Sequence, residues 1–154
     1  MKKLNSYLTF KLGNETFAVN VANVLHILGI PEITKMPNSP DHVLGVMNLH
    51  GQVLPVIDPH PRFKIKAQKT TKDSCIVVME MNQNNEHFQM GSLVDSVHAV
   101  LEVNEDEIFP PPELGAEYNS KYIDGVIKDK DKFILILNVT NVFSEIGSPL
   151  KSIK

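Results

Sequence analysis

Gly45-Val46-Met47-Asn48-Leu49-His50-Gly51-Gln52-Val53-Leu54-Pro55-Val56-Ile57-Asp58 is the stretch from which the rest of the 154-residue chain can be read. Two short apolar runs, Gly45 to Leu49 and Gln52 to Asp58, flank His50-Gly51. A two-residue connector ending in glycine predicts a tight hairpin, because the favoured two-residue turns need positive φ. Pro55 lacks an N–H to give to a ladder, so it predicts an edge strand or a bulge in the second run. The composition points the same way. There are 16 Val and 13 Ile against 5 Ala. β-branched side chains pack well on pleated surfaces and lose rotamer freedom in helices, which argues against a mostly helical chain.

Working outward, Tyr7 to Leu12 and Thr16 to Val21 alternate apolar and polar residues around Gly13-Asn14 and predict an opening hairpin. Ala22-Asn23 suggests one helical turn, and Val24 to Leu28 a further strand. Gly29 to Pro40 carries Pro31, Pro37 and Pro40 and reads as loop. Downstream, Pro59 to Asp73 contains Arg62, Lys64, Lys66, Lys69 and Lys72 and reads as a linker between halves. Cys75 to Met81 is apolar except for Glu80. His87 to Val103 is long, with Gly91 and Asp95 as expected bends, and Glu105 to Gly115 is an acidic, proline-rich loop. Ile123 to Ile127 and Phe133 to Asn138 flank another turn, and Thr140 is placed to cap a helix ending at Gly147. About ten short strands at close turn spacing predict a mostly β protein built as two small barrels.

Charge and chemistry exclude several classes. The net charge is −3, and the 15 basic residues are 14 Lys and only Arg62, so guanidinium forks for phosphates or bases are nearly absent. Nucleic acid is disfavoured. No apolar run nears the roughly 20 residues of a membrane span, and no apolar signal core follows the basic start, so a cytoplasmic location is expected. Cys75 is the sole cysteine, which excludes an internal disulfide; it reads as a small core residue. His26, His42, His50, His60, His87 and His98 show no metal-ligand spacing, so neither a metal nor a cofactor is expected. Asp95, Ser96 and His98 lie close in sequence, but strand alternation sets Asp95 on the opposite face from the other two. An enzyme would need these groups to converge in a pocket.

With these features in place, the opening stretch closely resembles the signature of CheW-like domains, Gly-Val-x-Asn-Leu-Arg-Gly-x-x-x-Pro-x-x-Asp. Tyr7 to Gly13 with Phe17-Ala18-Val19 is similar to that family's first hairpin. Gly91-Ser92-Leu93-Val94-Asp95-Ser96-Val97 resembles its Gly-x-x-Val-Asp-x-Val stretch, and Tyr122-Ile123-Asp124-Gly125 and Ile134 to Leu137 also fit. The resemblance covers residues 6–146.

It implies two five-stranded SH3-like barrels around a shared core, one spanning residues 6–66 and the other 74–138, with a helix over 139–147. It implies a non-catalytic adaptor that couples chemoreceptors to the histidine kinase CheA beneath the inner membrane. Carried over position by position, it assigns Val24, Gly45, Asn48, His50, Leu93 and Val97 to a groove for the receptor's cytoplasmic tip. Val21, Ile27 and Ile33 are assigned to a patch for the kinase's regulatory domain. A coupling protein for a non-flagellar system, such as pilus control, is the nearest alternative. A ligand- or oligonucleotide-binding barrel is a remoter one. The chain departs from the pattern at His50, where the family has Arg, at His26, where Glu is common, and at Pro59-His60, where Leu-Arg is usual. Adjacent histidines at 26 and 50 would replace an ion pair by two groups that repel when both are protonated.

Overall fold

A computed structural model describes residues 4–66, 69–83, 85–111 and 120–143. The opening hairpin pairs Leu4–Leu12 (β1) with Glu15–Asn20 (β2). Val21 leaves β2 and begins a 3₁₀ turn over Val21–Asn23, where the Asn20 side chain accepts the Ala22 N–H at 2.9 Å. Val24–Gly29 (β3), Val43–Leu49 (β4) and Gln52–Ile57 (β5) follow. Then come Cys75–Gln83 (β6), Glu86–Val94 (β7) and Ser96–Asn104 (β8). Ile108–Phe109 (β9), Ile123–Asp129 (β10) and Lys132–Leu137 (β11) complete the strands.

The protein is mostly β, in two sheets. One runs in the order β8-β1-β2-β11-β10-β9, the other β3-β6-β7-β5-β4. Most pairs are antiparallel; β2 with β11 and β5 with β7 are parallel. Each sheet takes strands from both halves of the sequence, because β1–β2 join β8–β11 while β3–β5 join β6–β7. The sheets therefore divide the chain differently from the expected split into residues 6–66 and 74–138. The second sheet curls until its opposite edges meet. Thr34, on the chain leaving β3, bridges Val46 of β4 through two 2.9 Å backbone bonds.

Three apolar clusters follow from this curl. Tyr7, Ala18, Val103, Ile127, Ile134 and Ile136 fill the inside of the first sheet. Met47, Leu54, Val56, Ile76, Val78 and Leu93 fill the inside of the second. Between the sheets lies a shared core that includes Phe10, Phe17, Ile57, Val77, Met79 and Phe143. Strand alternation sends one face of each strand to its own barrel and the other to the shared core. β6 shows why its sequence is continuously apolar. Ile76 and Val78 point into the barrel, while Val77, Met79 and Met81 point into the shared core. Each such side chain contributes about 1.5–3 kcal/mol through burial.

Several expectations change. β5 lies between β4 and β7, so Pro55 is not on an edge strand. Its parallel pairing to β7 begins only at Val56, so no bond from position 55 is required there. The register irregularity of the hairpin falls between Val43 and Gly45 on β4. The 87–103 run bends at Asp95 but not at Gly91, which pairs with Val78 inside β7; a Cβ there would come within 2.6 Å of Ile76. The final helix occupies residues 139–143 of the described chain. Asn138, not Thr140, caps it, accepting the Asn141 N–H at 2.8 Å, and the expected stop at Gly147 lies outside the described residues. The basic segment after β5 is more than a spacer. A 3₁₀ turn over His60–Phe63 buries His60, and Phe63 and Ile65 pack against the shared core.

Candidate functional site

The β4–β5 hairpin has the predicted two-residue turn. His50 and Gly51 have φ of 52° and 85°, the signature of the twisted turn that matches paired strands. Asn48, exposed, accepts the Gly51 N–H at 2.9 Å and braces it. Gly45 has φ of 148°, and a Cβ there would lie 2.1 Å from the Thr34 carbonyl oxygen. Only glycine allows the β3–β4 connection to close on the hairpin at this point.

The turn carries His50 to the other edge of the same sheet. Its ring lies 6.0 Å from that of His26 on β3, centroid to centroid, and both side chains are exposed. Two of the three departures from the family pattern are thus neighbours. β3 has a register shift between Val24 and His26, and this break in alternation leaves Leu25, His26 and Ile27 all exposed.

The remaining candidate positions separate by burial. Val24 on β3 and Val97 on β8 are half-buried, and both pack against the shared core. β3 and β8 are edge strands of different sheets, so these two residues mark where the shared core meets solvent. Leu93 is only 8% exposed and belongs to the interior of the second barrel. Val21 and Ile27 are 36% and 48% exposed, while Ile33 is half-buried against that barrel's interior.

A polar junction that the sequence reading treated as linker sits beside this margin. His60, 1% exposed, binds two carboxylates at once. Its Nδ1 contacts Asp58 Oδ1 and its Nε2 lies 3.0 Å from Asp95 Oδ2. The His60 backbone N–H donates to Asp58 at 3.0 Å, and Asp95 accepts the Gly13 N–H at 2.6 Å. Asp58 directly follows β5, Asp95 joins β7 to β8, and Gly13 turns β1 into β2, so the ring ties both sheets together. The hydrogen bond to Asp58 raises the His60 pKa most, burial opposes it, and Asp95 adds to it, leaving a value of about 9. Burial pushes the Asp58 carboxyl up, but the His60 ring, its backbone N–H and its charge together hold it below the usual carboxylate range. The one signal of this junction in the sequence was the departure at Pro59-His60 from the family's Leu-Arg.

The catalytic arrangement weighed from sequence does not assemble. Asp95 is engaged by His60, and His98 meets Ser96 at 3.1 Å on an exposed edge. Both nitrogens of His60 face carboxylates, so its ring has no free lone pair to activate a nucleophile. A cavity of about 620 Å³ on the first sheet is lined by Asn5, Tyr7, Glu105, Asp124 and neighbouring amides, with no histidine or lysine among the described residues. Burial, with Asp124 and Glu105, pushes the Tyr7 phenol up. Among the described residues no group of three or more His, Cys, Asp or Glu is arranged for a metal ion, and no helix is long and apolar enough to cross a membrane. Burial also raises the Cys75 thiol pKa, which fits a packing role.

Comparison with known proteins agrees with these features. Residues 6–147 match the family model of the CheW-like domain. A probable chemotaxis protein CheW from Rhizobium etli is 33% identical over 141 residues, 92% of this chain and 88% of that protein. The Helicobacter pylori chemotaxis protein CheW is 30% identical over 139 residues, 90% and 81% of the two chains. The crystal structure of the scaffolding protein TtCheW from Thermoanaerobacter tengcongensis superposes with a TM-score of 0.80 at 30% identity, covering 92% of this chain and 93% of that one.

Proposed function

The chain belongs to the CheW-like domain family, and from that premise we propose that it is a non-catalytic scaffold coupling chemoreceptor tips to the regulatory domain of the kinase CheA. The observation that carries this reading is the apolar margin of the shared core, half-exposed at Val24 and Val97 on edge strands of two different sheets. A scaffold needs separate exposed patches with apolar centres and polar rims, not tuned catalytic groups. Val24 and Val97 supply one such centre, rimmed by Asn48, His50 and His26. Val21 and Ile27 supply a second, on and before the bulged edge strand β3, for the kinase domain. Its place of work is then the cytoplasmic face of a receptor array. Coupling for a non-flagellar chemosensory system uses the same surfaces, and His26 with His50 favours partners other than the usual ones.

Titration of the labelled protein with a receptor-tip fragment, and separately with the cognate CheA regulatory domain, tests the reading. Micromolar binding to both is expected, with Val97→Asp weakening only the receptor and Ile27→Asp only the kinase domain. Failure to bind either partner overturns the adaptor function.

A further inference from the structure

We propose that His60 is a positioning residue whose charged ring holds the β7–β8 junction against the exit of β5 and thereby sets the groove margin at Val97. The chemistry is in the two donors. A neutral imidazole has one N–H and one lone pair, whereas the imidazolium has two N–H groups. Here each ring nitrogen faces a carboxylate, Asp58 on one side and Asp95 on the other. Loss of the proton would leave a lone pair of the buried His60 ring against a carboxylate oxygen, breaking one of the two links.

Asp95 is the hinge of the pair. It is the single residue between β7 and β8, and Val97 follows two residues later. Its backbone N–H donates to the Lys11 carbonyl at 2.9 Å and its side chain accepts from Gly13, so the junction is fastened to β1 as well. The charged groups that act on the ring are Asp58 and Asp95. The nearest cation along the chain, Arg62, donates to the Tyr122 hydroxyl at 2.8 Å. Those two carboxylates keep the ring protonated across the neutral range, with a pKa of about 9. His60 therefore does the work of a fixed cation at the position where the family pattern has arginine, with a proton that can still be removed.

The link from His60 to receptor affinity rests on the groove assignment of the proposed function; the clamp itself does not. Two measurements separate them. In nitrogen NMR of the imidazole rings, both His60 nitrogens should remain protonated from pH 5 to 8 and titrate near 9. Titration of that ring between pH 5 and 8 would overturn the clamp. Binding of a receptor-tip fragment should weaken at least fivefold from pH 7.5 to 10 in the wild type. H60R, with a cation that does not titrate in this range, should bind within twofold of wild type at pH 7.5 and lose little by pH 10. H60Q, neutral throughout, should bind about tenfold more weakly at pH 7.5, and D95N reports the same link should H60Q fail to fold. Identical pH profiles for wild type and H60R would overturn the positioning role. If the wild type binds no receptor fragment at any pH, the proposed function fails and the ring titration alone decides the clamp.

Discussion

β6 and β3 are hydrogen-bonded neighbours in one sheet, yet they do opposite work. Val77 of β6 and Ile27 of β3 stand directly across the ladder from one another. Val77 is fully buried and Ile27 is 48% exposed. The difference comes from position in the sheet. β6 lies between β3 and β7 with apolar clusters on both faces, whereas β3 is an edge with a bulge at its start. Neither residue type nor strand propensity separates them, since both are β-branched. An interior strand of a double barrel holds the fold, and the edge beside it is free to bind.

A single charge placed on each strand breaks or upholds that contrast. Val77→Asp sets a carboxylate in the shared core with no partner, a cost of about 4 kcal/mol or more against a marginal total. Circular dichroism and urea titration should show no cooperative transition for this variant. Ile27→Asp should cost about 1 kcal/mol or less, because its carboxylate reaches water. Near-equal losses for the two variants would show that the edge is as structural as the interior.

Gly45 sharpens the same comparison at the other edge of the sheet. Gly45→Ala must accommodate a Cβ 2.1 Å from the Thr34 oxygen and a φ of 148°. The expected loss is on the order of 3 kcal/mol, read from the urea midpoint. A loss under 1 kcal/mol would mean that the Thr34–Val46 bridge does not help close the barrel.

The polar junction adds a pH dependence of its own. His60 has a folded pKa raised from 6.5 to about 9, so its contribution is complete below 6.5 and is lost as pH rises through 9. Asp58 has a folded pKa lowered from 3.8, so its contribution is present above 3.8 and is lost as pH falls through the folded value. Thermal unfolding followed against pH should therefore show a plateau between about 3.8 and 6.5 from this pair, falling on both sides. H60Q should flatten the alkaline fall. An unchanged alkaline limb in H60Q would assign that limb to other groups.

Local pattern carried the strands but not their partners. The hairpin at His50-Gly51 and the apolar run of β6 were legible, because a turn type and a nearly continuous apolar run are properties of adjacent residues. The parallel pairs β2–β11 and β5–β7 join distant segments and leave no periodic mark, so the mixing of halves within each sheet was not legible. Pro55 misled for the same reason: whether a missing N–H matters depends on where the neighbouring strand begins. Leu93 lies on the barrel face of β7, and alternation alone does not say which face is wet. His60 was hidden by its lysine-rich surroundings, since its burial depends on Asp95, 35 residues away. The site residues on the exposed hairpin were readable only through resemblance to a family.

The smallest expected effect concerns His50, where fold and binding pull apart. A β-carbon-bearing side chain at φ 52° carries strain that asparagine tolerates better. His50→Asn should therefore leave stability unchanged or raise it by a few tenths of a kcal/mol. The ring beside His26 would be gone, however, and with it one rim of the proposed receptor groove. A variant that is slightly more stable but binds the receptor fragment several-fold more weakly would show that histidine is held there by the partner and not by the turn. Equal affinity would return His50 to the status of a tolerated surface residue. The bulged edge at β3, without its neighbour across the barrel, would then be the whole of the binding side of the comparison.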